Sequence, residues 1–268
     1  MAVQATRRQL LGWGGAALAG AAVSGLSLPS LLKSASAAPA PSQGGGLVSA
    51  ATATASSSAT PALTPSPTPA TVTIPVPVIQ QSMVLDCETA ALQQGLAYYG
   101  QAVSQAELFA QEYADTRLPV MGAGHSVAQW GNPYKQFVGY VNGSDWAPTG
   151  YGVYWPVILR LAQKYGVPNA IGGEGFTPAS IYSELAAGHP VQIWIQTRFA
   201  RVWLGTWIAW DGTPVRYSFA EHSVTLTGVS PTQVRVNDVL DATQYWVNKS
   251  LFEANFADFN NMAVIYRP

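Results

Sequence analysis

Gln80-Gln81-Ser82-Met83-Val84-Leu85-Asp86-Cys87-Glu88-Thr89-Ala90-Ala91-Leu92 hands an apolar loop over to a run of good helix formers that continues to Tyr99 and stops at Gly100. The single cysteine of the chain, Cys87, therefore stands at a helix N-terminus. Unpaired N–H groups and the positive end of the macrodipole stabilise a thiolate there, and thiolate is the nucleophilic form of sulfur. A buried thiol packed as a small hydrophobe is the competing explanation. Gln81, six residues upstream, brings a side-chain amide that can help a backbone N–H stabilise an oxyanion.

A nucleophilic thiol needs a base, and the chain has three histidines, His125, His189 and His222. Glu221-His222-Ser223-Val224-Thr225-Leu226-Thr227-Gly228-Val229 alternates apolar and polar residues, Ser230-Pro231-Thr232 reads as a turn, and Gln233-Val234-Arg235-Val236-Asn237-Asp238-Val239 alternates again. Folding this hairpin about Ser230 puts His222 opposite Asp238, with Val224, Leu226, Val234 and Val236 on the same face. An imidazole beside a carboxylate is the base and orienter of a triad. Asn237 is the alternative orienter, but pointing it inward turns Val234 and Val236 outward. His125 lies between flexible glycines and His189 between a helix and a strand. With one cysteine and no histidine pair at helical spacing, neither a metal nor a cofactor is expected.

The remaining signals place helices early and strands late. Ser104-Gln105-Ala106-Glu107 reads as a capping box, Pro156 opens a helix to Tyr165 with Gly166 as stop, and Thr177-Pro178 opens one that Gly188 ends. Ser250-Leu251-Phe252-Glu253 caps a last short helix. Strands are expected at 191–197, 206–210, 214–219, in the His222 hairpin, and at 244–247 and 262–266, forming an antiparallel sheet. This pattern is an α+β fold, with the thiol on a helix facing the histidine on the sheet. Trp194, Trp203, Trp207 and Trp210 either line a peptide or glycan groove or pack in the core, and the long loop between Trp130 and Tyr154 is placed to shape a cleft.

In these motifs the chain resembles the papain-like cysteine peptidases related to the bacteriocin-processing, double-glycine leader peptidases, in particular their stand-alone secreted members. The resemblance runs through Val76-Pro77-Val78-Ile79-Gln80-Gln81, Leu85-Asp86-Cys87-Glu88-Thr89-Ala90, Tyr98-Tyr99-Gly100 and Trp130-Gly131-Asn132-Pro133. It continues in Thr149-Gly150-Tyr151-Gly152-Val153-Tyr154, Gly188-His189-Pro190-Val191, Glu221-His222-Ser223-Val224-Thr225-Leu226-Thr227-Gly228 and Val236-Asn237-Asp238. It implies a papain-like fold, with Cys87 as nucleophile, His222 as general base, Asp238 as its orienter and Gln81 in the oxyanion hole. The family often has proline after the aspartate, where this chain has Val239.

Three regions are expected: an export leader over 1–37, a linker over 38–72 and a catalytic domain over 73–268. Thr6-Arg7-Arg8-Gln9-Leu10-Leu11, an apolar run to about Leu32, and Ala35-Ser36-Ala37 resemble a twin-arginine export signal; a general secretory signal or an uncleaved anchor are the alternatives. The protein is thus expected outside the cytoplasm, touching membrane only through a retained leader. Residues 38–72 are almost wholly Ala, Pro, Ser, Thr and Gly, a composition that builds no core. Removing Arg7, Arg8 and Lys33 with the leader leaves ten basic against fourteen acidic side chains, and the basic ones are scattered. That excludes a phosphate-backbone partner such as nucleic acid. The expected activity is cysteine hydrolysis of a peptide or isopeptide bond through a thioester, on a peptide, protein or peptidoglycan-peptide substrate. A silent papain-like binding module and a cell-wall amidase or acyl transferase are the alternatives.

Overall fold

A computed structural model describes residues 70–268. The expected leader lies outside the described residues, as does the linker except for residues 70–72.

The helix that begins the fold, α1 (Cys87–Tyr98), is followed by the short α2 (Gln105–Phe109), α3 (Trp155–Lys164), α4 (Pro178–Ala186) and α5 (Lys249–Phe256). Local chemistry sets most of their ends. Ser104 Oγ accepts the Glu107 N–H at 3.2 Å, Thr177 Oγ1 accepts the Ser180 N–H at 3.1 Å, and prolines occupy the first turns of α3 and α4. Gly100 follows α1 with a φ of 77°, the left-handed geometry that a residue without Cβ adopts freely. The last helix departs from expectation. It starts at Lys249, directly after a strand and with Asn248 in the N-cap place, so Ser250 lies inside it.

The main sheet takes the order β10-β9-β8-β5-β11-β4, from β4 (Ile171–Gly173), β5 (Val191–Gln196), β8 (Glu221–Val229), β9 (Gln233–Asp238), β10 (Thr243–Asn248) and β11 (Ala263–Ile265). A two-residue β1 (Val72–Thr73) pairs antiparallel with the far end of β8. Helices cover both faces. On one, Leu92 and Leu96 of α1 and Ile158 and Leu161 of α3 share a core with Trp194, Val264 and Tyr266. On the other, Ile181 and Leu185 of α4 and Phe252 and Phe256 of α5 pack against Ile193, Ile195, Val224, Leu226, Val234 and Val236. The alternation of β8 therefore does not mark a solvated face: every residue of the strand is buried, and Thr225 on the face opposite Val224 and Leu226 reaches Ala91 O of α1.

The expected single sheet is two. The strands near Trp207 and Val215, β6 (Gly205–Ala209) and β7 (Pro214–Tyr217), join β2 (Val120–Met121) and β3 (Val127–Trp130) in the order β2-β3-β6-β7. β3 and β6 run parallel, a pairing across a long stretch of chain that strand periodicity cannot specify. Trp130, Trp207, Tyr151 and Tyr217 pack together over this sheet, with ring centroids 4.9–6.4 Å apart. Trp194 and Trp207 are fully buried and belong to the core, which removes them from any groove; Trp203 is exposed and Trp210 half-buried.

Candidate active site

Cys87 is the first residue of α1, and the N-terminus of this helix is tied to the sheet through Gln192. The Gln192 amide donates to Glu88 O at 3.0 Å and to Ser223 Oγ at 2.9 Å, and its carbonyl accepts the Tyr266 phenol. Further along, Thr225 Oγ1 donates to Ala91 O at 3.2 Å. Gly95 permits the close approach: a Cβ there would come within 2.5 Å of the Tyr266 ring. These contacts bring β8 to the thiol. The Ser223 N–H donates to Cys87 Sγ at 3.4 Å, and the Cys87 S–H donates to Glu88 Oε2 at 3.2 Å. Cys87 is fully buried.

The hairpin of β8 and β9 does not have the expected register. Its ladder pairs Thr225 with Asn237 and Leu226 with Val236, then shifts by one residue to pair Gly228 with Arg235 and Val229 with Val234. His222 is therefore not directly opposite Asp238, which lies one residue past the last pair on β9. The bulge at Thr227 adds one residue to β8, and this keeps Val224, Leu226, Val229, Val234 and Val236 in one core despite the shift. Along the same face His222 Nε2 lies 2.8 Å from Asp238 Oδ1, both side chains fully buried. Asn237 faces the other way, donating to Val76 O at 3.1 Å and accepting from Gln244 Nε2 at 2.6 Å.

Burial pushes the Asp238 carboxyl up, but the imidazole charge and hydrogen bond, the Leu240 N–H at 3.0 Å and the Tyr245 phenol at 2.8 Å together hold it well below the usual carboxylate range. With Nε2 turned toward the Asp238 carboxylate, Nδ1 is the ring nitrogen left to act as a base. Nδ1 is buried and has no hydrogen-bond partner among the described residues. The thiol meanwhile reaches the backbone N–H of the next residue, Ser223.

Gln81 enters the site through its backbone, whose N–H donates to Val239 O at 2.8 Å. Both protons of its side-chain amide are used within its own loop, by Met83 O at 2.9 Å and Val84 O at 2.8 Å. Gln80 turns outward to Leu240 O. The loop between Trp130 and Tyr154 closes one side, where the Leu85 N–H donates to Val141 O at 2.9 Å. The other two histidines are committed elsewhere: His125 Nε2 to Trp146 O at 2.7 Å, and His189 Nδ1 to Glu184 at 2.8 Å.

The sequence reading missed a set of buried acids around the thiol. Asp86, Glu88, Glu112 and Glu221 are all at most 1% exposed. Burial first, then the charges of neighbouring acids, push Asp86 and Glu112 well above the usual carboxylate range. Donor atoms of Cys87, Glu88 and Glu221 come within 4.8 Å of one another. One soft and two hard donors with no histidine make an indifferent cation site. Glu88 and Glu221 are the chain neighbours of Cys87 and His222, a clue that was present in the sequence.

Residues 73–264 match the sequence profile of the peptidase C39-like family. The uncharacterised protein YvpB of Bacillus subtilis is 29% identical over 181 residues, 67% of this chain and 68% of its own length. A crystal structure from Bacillus anthracis, assigned as a C39-like peptidase, superposes with a TM-score of 0.64 at 29% identity, covering 75% of this chain and 98% of that one. A double-glycine motif protease from an AMS/PCAT transporter, solved with its leader peptide, aligns over 74% of this chain and 94% of its own at 18% identity and a TM-score of 0.43, too distant to carry an argument. The profile match spans most of the chain and contains Cys87, His222 and Asp238: the protein belongs to the peptidase C39-like family and has its papain-like α+β fold.

Proposed function

We propose that this protein is an exported cysteine hydrolase that cleaves a peptide or isopeptide bond through a thioester acyl-enzyme. Cys87 attacks the carbonyl, His222 takes the thiol proton on Nδ1 and later delivers it to the leaving amine, and Asp238 holds the imidazole in that tautomer. The Cys87 N–H, at the N-terminus of α1, receives the oxyanion. Gln81 joins it after releasing Met83 O and Val84 O. The observation that carries this reading is the buried His222–Asp238 pair, whose basic nitrogen has no other partner while the thiol sits at the adjacent Ser223 N–H. Attack requires the thiol to turn from Glu88 into the cleft. Export rests on the sequence around Arg7 and Arg8, and replacing both with lysine should hold the precursor in the cytoplasm; unimpaired secretion removes the twin-arginine route. Among the described residues no helix is long and apolar enough to cross a membrane.

One observation favours a second reading, a binding module without turnover: Cys87 is fully buried and its S–H is given to a carboxylate. Mass spectrometry of the chain treated with an acylating peptide probe separates the two. Catalysis predicts an adduct on Cys87 that is lost in Cys87→Ala and in His222→Ala. A peptide that binds the wild type while no adduct ever forms establishes the binding module.

A further inference from the structure

Asp238 has more partners than the orienter of a triad needs. Oδ1 takes both the His222 Nε2–H at 2.8 Å and the Leu240 N–H at 3.0 Å. Oδ2 takes the phenol of Tyr245 at 2.8 Å. Tyr245 comes from β10, where it pairs with Val236, so it stands diagonally from Asp238 on the same face of the sheet. The phenol is a durable donor, since burial and then the Asp238 charge push its ionisation far above the ordinary tyrosine range. The other charged groups facing this carboxylate are Arg198 and Asp241, which form an ion pair with each other. A carboxylate bound through one oxygen pivots about its Cβ–Cγ bond, and the imidazole it holds pivots with it. Bound through both, it cannot turn.

We propose that Tyr245 is a positioning residue of this site: its phenol anchors the second oxygen of Asp238 and so fixes the plane in which His222 is presented to the thiol. The role rests on the proposed triad. It also gives β10, which contributes no reacting group, a part in catalysis.

Cys87 is the only thiol of the chain, so alkylation of the full chain by iodoacetamide, followed by mass spectrometry across about pH 4–9, reports this site alone. Tyr245→Phe removes one hydroxyl and should leave the circular dichroism spectrum and melting temperature near those of the wild type. It should slow alkylation on the order of tenfold at neutral pH, the usual effect of losing one hydrogen bond to a charged group. The acid limb of the profile should move to higher pH, because an imidazole held less firmly beside the thiol stabilises the thiolate less. In an Asp238→Asn background the same change should add less than about twofold, since the two side chains act as one unit. A wild-type rate and acid limb in Tyr245→Phe, beside a slowed His222→Ala, overturns the role of Tyr245 and leaves the triad standing. Additive effects in the double variant also overturn it, by showing that Tyr245 acts without Asp238. Wild-type alkylation in His222→Ala overturns the triad and this role with it.

Discussion

Gly152→Ala tests whether the carboxyl group beside the thiol is held as tightly as the structure shows. A Cβ on Gly152 would come within 2.1 Å of Glu88 Oε1 and 3.2 Å of Glu221 Oε2. The backbone here cannot retreat easily. Val138 N–H donates to Gly152 O at 3.1 Å, Tyr151 N–H to Val138 O at 2.8 Å, and Trp194 Nε1–H to Val153 O at 3.0 Å. Glu88 must therefore swing away, leaving the Val153 N–H that it accepts at 2.9 Å without its carboxyl acceptor. Leaving that buried N–H without an acceptor costs about 1–3 kcal/mol. Strain from the extra methyl in a closed site costs about 1–3 kcal/mol. The expected destabilisation is about 2–6 kcal/mol, a large fraction of the stability of a single domain. Urea unfolding followed by tryptophan fluorescence should show a midpoint lowered by about 1–2 M with an unchanged slope. Glu88→Ala makes room for the methyl, so the double variant should be markedly less destabilised than the two single effects predict. A midpoint within about 0.3 M of the wild type, or plain additivity in the double variant, would refute the claim that Glu88 is clamped over Gly152.

Glu112 is a carboxyl whose folded state favours the neutral form, so the stability it allows is complete below its ordinary value of 4.5 and is lost as pH rises through its raised folded value. Glu112→Gln should therefore raise the melting temperature at neutral pH and change it little at about pH 4, with the Thr89 hydroxyl still served by the amide carbonyl; an equal gain at both pH values would show that it does not come from the protonation of Glu112. Asp238→Ala and Asn237→Ala separate the two candidate orienters. Asp238→Ala should slow probe acylation of Cys87 by on the order of 10²-fold or more, and Asn237→Ala should act mainly on stability by releasing Val76. Greater loss of acylation in Asn237→Ala would reverse the assignment.

Much of the fold is legible in the chain because it is written locally. Pro156, Thr177-Pro178 and the glycines at 100, 166 and 188 bound helices through constraints that act within one turn, and the structure places α1, α3 and α4 between them. The face shared by His222, Val224, Val236 and Asp238 follows from the two-residue period of a strand, which survives an error in register of two residues. Other features depend on contacts between distant segments, and no local rule encodes them. The bulge at Thr227, the split into two sheets and the parallel pairing of β3 with β6 are of this kind.

The site divides in the same way. Sequence by itself determined that a thiol begins a helix and that an imidazole and a carboxylate share a strand face, because residue type and period decide both. Tertiary structure alone decided where their protons go. Packing α1 against β8 buried Cys87, turned its S–H to Glu88 and gathered Asp86, Glu88, Glu112 and Glu221 out of water. Folding β10 beside β9 brought Tyr245 to Asp238, and the tight loop after Gln81 drew its amide onto Met83 and Val84. Hydrogen-bond direction and desolvation depend on which neighbours arrive and how completely water leaves, and both are settled only when separate segments of the chain have packed together.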